Sequence, residues 1–150
     1  VNISNSFSIS ASALTAQRLR MDVISSNIAN AETTRASVTN GEAVPYKRKM
    51  VVLEPNKTSF NSLLQNQMKS SGSGDGVRVS EIREDQSPLK PVYDPSHPDA
   101  NAEGYVYMPN VDIAKEMVDM ISASRSYEAN VTALNSTKAM ISKALEIGRA

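Results

Sequence analysis

Apolar residues recur along this chain with two helical rhythms, one at each end, separated by a stretch that has neither. From about Ser6 to Ala31 there is no Pro or Gly, and Phe7, Leu14, Met21 and Ile28 return every seven positions, with Ile24 and Ala31 beside them. At about 100° per residue these positions share one helix face. Ile9, Ala16, Leu19 and Val23 form a second stripe roughly opposite the first. A helix lying on a globule shows one apolar face and one wet face. Two apolar faces predict neighbours on two sides.

The C-terminal rhythm is stronger. From about Asp112 to Ile147, Ile113, Met120, Tyr127, Leu134 and Ile141 stand at strict intervals of seven. Met117, Val131 and Leu145 fill the adjacent seam, which Ser124 and Lys138 interrupt. This is heptad spacing of the coiled-coil kind, and Val118, Ile121, Ala129, Ala133 and Met140 add apolar surface off the seam. Asn110 or Asp112, after Pro109, suits the N-terminal cap, and Gly148 suits the C-terminal end. Such a helix is roughly 50 Å long at 1.5 Å per residue.

Between the helices, Tyr46 to Glu54, Val77 to Ile82 and Tyr105 to Met108 read as short strands, and Thr58 to Lys69 as a short amphipathic helix carrying Phe60, Leu63, Leu64 and Met68. Residues 70–76 have the Ser/Gly composition of a flexible linker. Six of the seven prolines fall between Pro55 and Pro109, which confines regular structure there to short pieces. The expected fold is mainly α with a small β-containing middle. Residues 1–33 form one terminal helix, 34–110 an irregular insertion domain and 111–150 a second terminal helix, the two helices pairing as a coiled coil.

Composition narrows the function. Of 150 residues 40% are hydrophobic but only 5% aromatic, with no Trp, a thin supply of large core side chains. Such helices are expected to order fully only against partner subunits. Sixteen basic and sixteen acidic residues cancel, without the basic excess of a nucleic-acid binder or a polybasic membrane tether. With no Cys and one His, a thiol site or a Cys/His zinc site has no ligands. No apolar run approaches a membrane span, and Val1 to Ala16 lacks the layout of a cleaved signal peptide.

Candidate chemistry is sparse. Asp99-Ala100-Asn101-Ala102-Glu103-Gly104 opens like a calcium loop, but its twelfth position is Asn110 where a bidentate Glu is needed, so it reads as a polar turn. His97 lies between Pro95 and Pro98 without a nucleophile or orienting partner at any recognisable spacing, and reads as a solvated loop residue. Two Asn-x-Thr/Ser-type triplets, at Asn130 and Asn135, fall inside the C-terminal helix and are discounted as glycosylation sites. No phosphate loop, dinucleotide fingerprint or nucleophile elbow occurs. The expectation is a chain that is not an enzyme, has no cofactor, metal, catalytic residue or small-molecule substrate, and binds no nucleic acid. Arg125 and Glu128, flanking Tyr127, have two readings: solvated residues beside a ring that fills the seam, or charges paired across a subunit contact.

Two longer motifs say more. Ser12-Ala13-Leu14-Thr15-Ala16-Gln17-Arg18 followed by Ser26-Asn27-Ile28-Ala29-Asn30-Ala31 resembles the N-terminal signature of the flagellar rod and hook axial proteins. Tyr105 to Asn130, YVYMPNVDIAKEMVDMISASRSYEAN, resembles their C-terminal signature. The matching positions include Asn27, Ala29, Asn30, Pro109, Asn110, Arg125, Tyr127 and Glu128. The short middle, the insertion of Thr34 to Asn40 and the Val92-Tyr93-Asp94-Pro95 run are similar to the proximal-rod branch. The resemblance implies a structural subunit of the bacterial flagellar basal body. It would be exported through the flagellar type III apparatus without a cleaved signal and pack its terminal helices into a tubular axial structure that transmits torque. Its implied partners are further copies of itself and FlgB-, FlgF- and FliE-like rod proteins. On this reading the helix seam for assembly comprises Leu14, Met21, Ile24, Ile28, Ile113, Met117, Met120, Tyr127, Val131, Leu134, Ile141 and Leu145. Without the resemblance, a soluble coiled-coil adaptor that never polymerises also satisfies the periodicity.

Overall fold

A computed structural model describes residues 3–39, 42–56 and 76–148. The elements run α1 (Ile3–Ala29), β1 (Ser37–Thr39), β2 (Glu42–Val44), β3 (Lys49–Pro55), β4 (Val77–Glu84), β5 (Lys90–Tyr93), β6 (Tyr105–Met108) and α2 (Ile113–Ile147). Two long helices thus flank a small β-containing middle. The strands form three separate two-stranded sheets, β1 with β2, β3 with β4 and β5 with β6. The amphipathic helix expected over Thr58 to Lys69, and all but Gly76 of the Ser/Gly segment, lie outside the described residues.

Local chemistry sets the boundaries. α1 stops at Ala29: the Asn30 amide still reaches the Ser26 carbonyl at 3.1 Å, but the Ala31 amide tightens onto the Ile28 carbonyl at 3.2 Å and the Thr33 amide closes a turn on the Asn30 carbonyl at 3.1 Å. α2 starts where Asp112 Oδ1 accepts the amides of Ala114 (3.0 Å) and Lys115 (3.3 Å), so Asp112 is the cap. β3 begins three residues later than the pattern suggests. The Tyr46 amide goes to the Thr33 carbonyl and the Arg48 amide to Asn110 Oδ1, so neither is free for a ladder.

Three strands escaped the pattern, β1, β2 and β5, whereas β6 has the bounds expected for it. β1 and β2 pair antiparallel with Ser37 opposite Val44, and the Asn40-Gly41 dipeptide between them is the hairpin signal in the sequence. β5 contains Pro91, a residue that argues against a strand, but a two-stranded sheet has open edges where its missing donor is tolerated. Its register sets Tyr93 opposite Tyr105, and the rings meet edge to face at 5.3 Å. Between these strands Gly104 adopts φ of 81°, turning the chain into β6.

By internal contacts the chain divides into two compact units. Unit 1 comprises Val1–Leu19, Val52–Glu81 and Ala123–Ala150. In it the Val77 amide donates to Ser12 Oγ at 3.2 Å, and a Cβ on Gly76 would come within 2.5 Å of that oxygen. A side chain there would push the Ser12 hydroxyl aside and with it the bond to Val77. Among its described residues Ala16, Ala123 and Thr137 are buried, and every residue from Lys138 to Gly148 is exposed. Unit 2 comprises Arg20–Val51 and Ile82–Ser122, and buries Val23, Ile24, Asn27, Tyr46, Val106, Pro109, Val111 and Glu116. Within it α1 and α2 run in opposite directions: Asn27 meets Glu116, whereas Arg20, two turns earlier, meets Asp119.

Candidate functional site

The largest fully buried side chains include two polar ones, Glu116 at 0% exposure and Asn27 at 1%. Burial of an unpartnered polar group is costly, so their partners define the site. Asn27 projects from the last turns of α1. Its Oδ1 accepts the Lys49 amide (2.9 Å) and the Tyr46 hydroxyl (3.0 Å). Its Nδ2 donates to the Lys49 carbonyl (2.9 Å) and to Glu116 Oε2 (2.9 Å). The side-chain amide thus engages both backbone groups of Lys49, as a neighbouring strand would, and uses its remaining capacity on Glu116.

Arg48 completes the cluster. Its Nε donates to Glu116 Oε1 at 2.6 Å, while Nη1 lies 3.4 Å from Asp85 and Nη2 3.7 Å from Asp119. Arg20 approaches Asp119 from α1 at 3.8 Å. The backbone of Arg48 is held as firmly, its amide by Asn110 Oδ1 (2.8 Å) and its carbonyl by the Asp85 amide (2.8 Å). Asn110 also donates to the carbonyls of Asp85 (3.2 Å) and Ser87 (3.1 Å). Four segments meet here: the end of α1, the run into β3, the turn after β4 and the start of α2.

Burial works against the charge on Arg48, but hydrogen bonding and attraction from Glu116, then Asp85, outweigh it and raise its pKa above the ordinary value. The Asp85 carboxyl is held below its usual range, first by the Ser87 hydroxyl and amide and then by Arg48. Tyr46 is buried, its ring 5.7 Å from the Lys49 ammonium. The carboxylates are thereby committed to guanidinium and amide donors. Among the described residues no His, Cys, Asp and Glu group could hold a metal. The arrangement is suited to joining chain segments.

A second polar knot lies where the calcium-loop spacing begins. Asp99 accepts from Arg35 Nε (3.0 Å), Arg35 Nη2 and the Thr34 hydroxyl (2.9 Å), and these donors lower its pKa, Arg35 foremost. Asn101 Oδ1 accepts the amides of Glu103 (3.0 Å) and Tyr105 (2.9 Å). These are turn contacts that lead into β6.

The residues singled out by sequence are distributed unevenly. Ile24 is buried; Leu14, Met21, Ile28, Met120, Tyr127, Val131 and Leu134 are half-buried; Ile113, Met117, Ile141 and Leu145 are exposed. The positions α2 buries most completely, Glu116, Ala123 and Thr137, belong to a heptad series one residue ahead of Met117, Ser124 and Lys138. Of the motif residues, Asn27, Asn30, Pro109 and Asn110 belong to or border the cluster, and Ala29 is exposed. Arg125 and Glu128 are exposed and bond to each other within α2 at 3.0 Å. Tyr46, Arg48, Asp85 and Glu116 escaped the sequence reading. Glu116 carried a signal, a carboxylate four residues before Met120 on the inner side of an apolar stripe.

Comparison with known proteins gives the class first. The family model described as "Flagella basal body rod protein" matches residues 7–36, and "Flagellar basal body rod FlgEFG protein C-terminal" matches residues 102–147. The matched segments carry Asn27, Asn30, Asn110 and Glu116. Both place the chain among the structural proteins of the flagellar rod. The particular branch follows from individual relatives, each named flagellar basal-body rod protein FlgC. The protein of Bacillus subtilis (strain 168) is 64% identical, with 97% of each chain covered. That of Borreliella burgdorferi is 46% identical over 95% of each, and that of Salmonella typhimurium (strain LT2) 43% over 97% of each. The chain belongs to the FlgC family of flagellar basal-body rod proteins.

Proposed function

We propose that this structural rod subunit enters the proximal rod through its two terminal helices, residues 1–33 and 111–150, paired as a coiled coil. The middle, residues 34–110, forms a small outer domain. The subunit is exported through the flagellar type III apparatus without a cleaved signal. Its neighbours are further copies and other rod proteins of the FlgB, FlgF and FliE kinds. One observation carries this reading: α2 leaves large apolar side chains in water, with Met117 55%, Ile121 60%, Val118 66% and Leu145 66% exposed. Scattered exposed apolar residues are ordinary, but Met117 and Ile121 stand four apart on one helix face with Val118 adjoining. Among the described residues no helix is long and apolar enough to cross a membrane. Burial against protein neighbours accounts for such a face.

The test is Ile121→Asp in a null strain complemented with this chain. Ile121 is exposed in the single chain, so the thermal midpoint of the purified variant should stay within a degree or two of wild type, as for a typical surface change (~0.5 kcal/mol). Met120, half-buried, would confound folding with assembly. Cells should make and export Ile121→Asp yet build no hook or filament and fail to swim. Lys143→Asp, which removes only an exposed pair with Glu146, should be mild. Normal swimming with Ile121→Asp present at wild-type level overturns the assignment of this face to assembly.

A further inference from the structure

The helix sequences raise a problem that the apolar stripes cannot solve. Leu14, Met21 and Ile28 on α1 and Met120, Tyr127 and Leu134 on α2, all half-buried, repeat at the same interval of seven. Sliding one helix along the other by a heptad re-presents similar apolar residues to similar partners. Apolar burial is non-directional and distinguishes such registers poorly. Something position-specific has to choose.

The buried polar residues supply it. Among the described residues these are Asn27, Glu116 and Thr137. Thr137 bonds the Ala133 carbonyl of its own helix at 3.0 Å and says nothing about a partner. The Asn27–Glu116 bond at 2.9 Å joins the two helices. We propose that the Asn27–Glu116–Arg48 knot is the register key of the α1–α2 pair, with Arg48 and Glu116 acting as positioning residues. A slip of one heptad sets Asn27 opposite Ala123 or Pro109, neither of which offers a side-chain acceptor. Asn27 is in addition fastened to both backbone groups of Lys49, so it does not travel alone: the run into β3 would have to move with it. Arg48 is likewise held through its backbone by Asn110 and Asp85. A buried ionic group of this kind contributes little net stability over an apolar pair of similar size, and its best-attested use is to specify one arrangement. The inference concerns the single chain and does not rest on how that chain assembles.

The test uses the full chain carrying Arg48→Met and Glu116→Met together, which replaces the ionic link by an apolar pair and leaves Asn27 its bonds to Tyr46 and Lys49. The protein has no cysteine, so introduced pairs report unambiguously. Pairs at 20/119 report the observed register, and pairs at 20/126 and 13/119 report slips of one heptad in either direction, each read with a short bismaleimide cross-linker. In the chain with the knot intact, only 20/119 should cross-link. In the Met/Met chain the thermal midpoint should stay within a few degrees of wild type, since Asp85 and Asp119, which also lose Arg48, are 20% and 30% exposed and can turn to water, while 20/119 yield falls and a slipped pair becomes cross-linked. Two results overturn the proposal. One is 20/119 cross-linking alone and at undiminished yield in the Met/Met chain. The other is a midpoint lowered by ~10 °C or more, which would make the knot a source of stability instead of register.

Discussion

Glu116 is a carboxylate out of contact with water, and its two oxygens meet donors from two different segments, Arg48 and Asn27. Its removal alone leaves the Arg48 guanidinium, only 13% exposed, short of its nearest counter-charge. Breaking such a pair by one partner costs about 3–5 kcal/mol, so Glu116→Ala should lower urea-unfolding stability by that order. Glu116→Gln should fall between Ala and wild type. Its amide can accept from Arg48 only by turning its NH2 toward Asn27 Nδ2, donor against donor, a fault worth about 1–3 kcal/mol. If both variants matched wild type in chemical denaturation, the pairing of Glu116 with Arg48 and Asn27 would not exist in solution. Asn27 was legible as a motif residue, but its role was not. Hydrogen-bond partners at sequence separations of 22 and 89 leave no local trace.

At the scale of elements, helices were the legible part and short strands the poorly legible one. A helix of 27 or 35 residues repeats its pattern many times, whereas a three-residue strand shows barely one period. Caps lie between these extremes, because the choice between Asn110 and Asp112 depended on what else each could bond. Asn110 is taken by Arg48, Asp85 and Ser87, and Asp112 caps α2. Asp112→Ala should therefore cost about 1 kcal/mol, whereas Asp112→Ser, which keeps an acceptor, should cost much less. Equilibrium unfolding followed by helical circular dichroism will measure both, and equal effects would move the cap elsewhere.

For the whole molecule, titration provides an integrated readout. Asp85, Asp94 and Asp99 each have a pKa below the ordinary 3.8, caused mainly by the hydroxyl and amide of Ser87, those of Ser96, and Arg35 respectively. A depressed carboxylate stabilises the fold at pH values above its unfolded pKa, and the contribution is lost as pH falls through the lower folded value. These three should therefore leave stability flat from about pH 7 to pH 5 and lower it below about pH 4. Urea midpoints across that range will show it. Ser87→Ala, which removes the largest cause at Asp85, should shrink the acid-dependent part, and a steeper fall than wild type would contradict the sign.

The sequence by itself determined that two long helices flank a β-containing middle, that their stripes repeat by sevens, and that terminal signatures resemble those of rod proteins. Periodicity and motif are local properties, written in neighbouring residues and independent of where the chain later goes. Tertiary structure decided which buried position next to the stripe is ionic, that Arg48 serves three carboxylates, that Asn27 engages the backbone of Lys49 as a strand would, and that the first carboxylate of the calcium-like spacing belongs to Arg35 and Thr34. Each of these depends on groups distant in sequence meeting in space. A heptad repeat, the same at every turn, carries no information about which turn faces which. Only a contact that is singular in the chain, such as Asn27 with Glu116, can supply that choice.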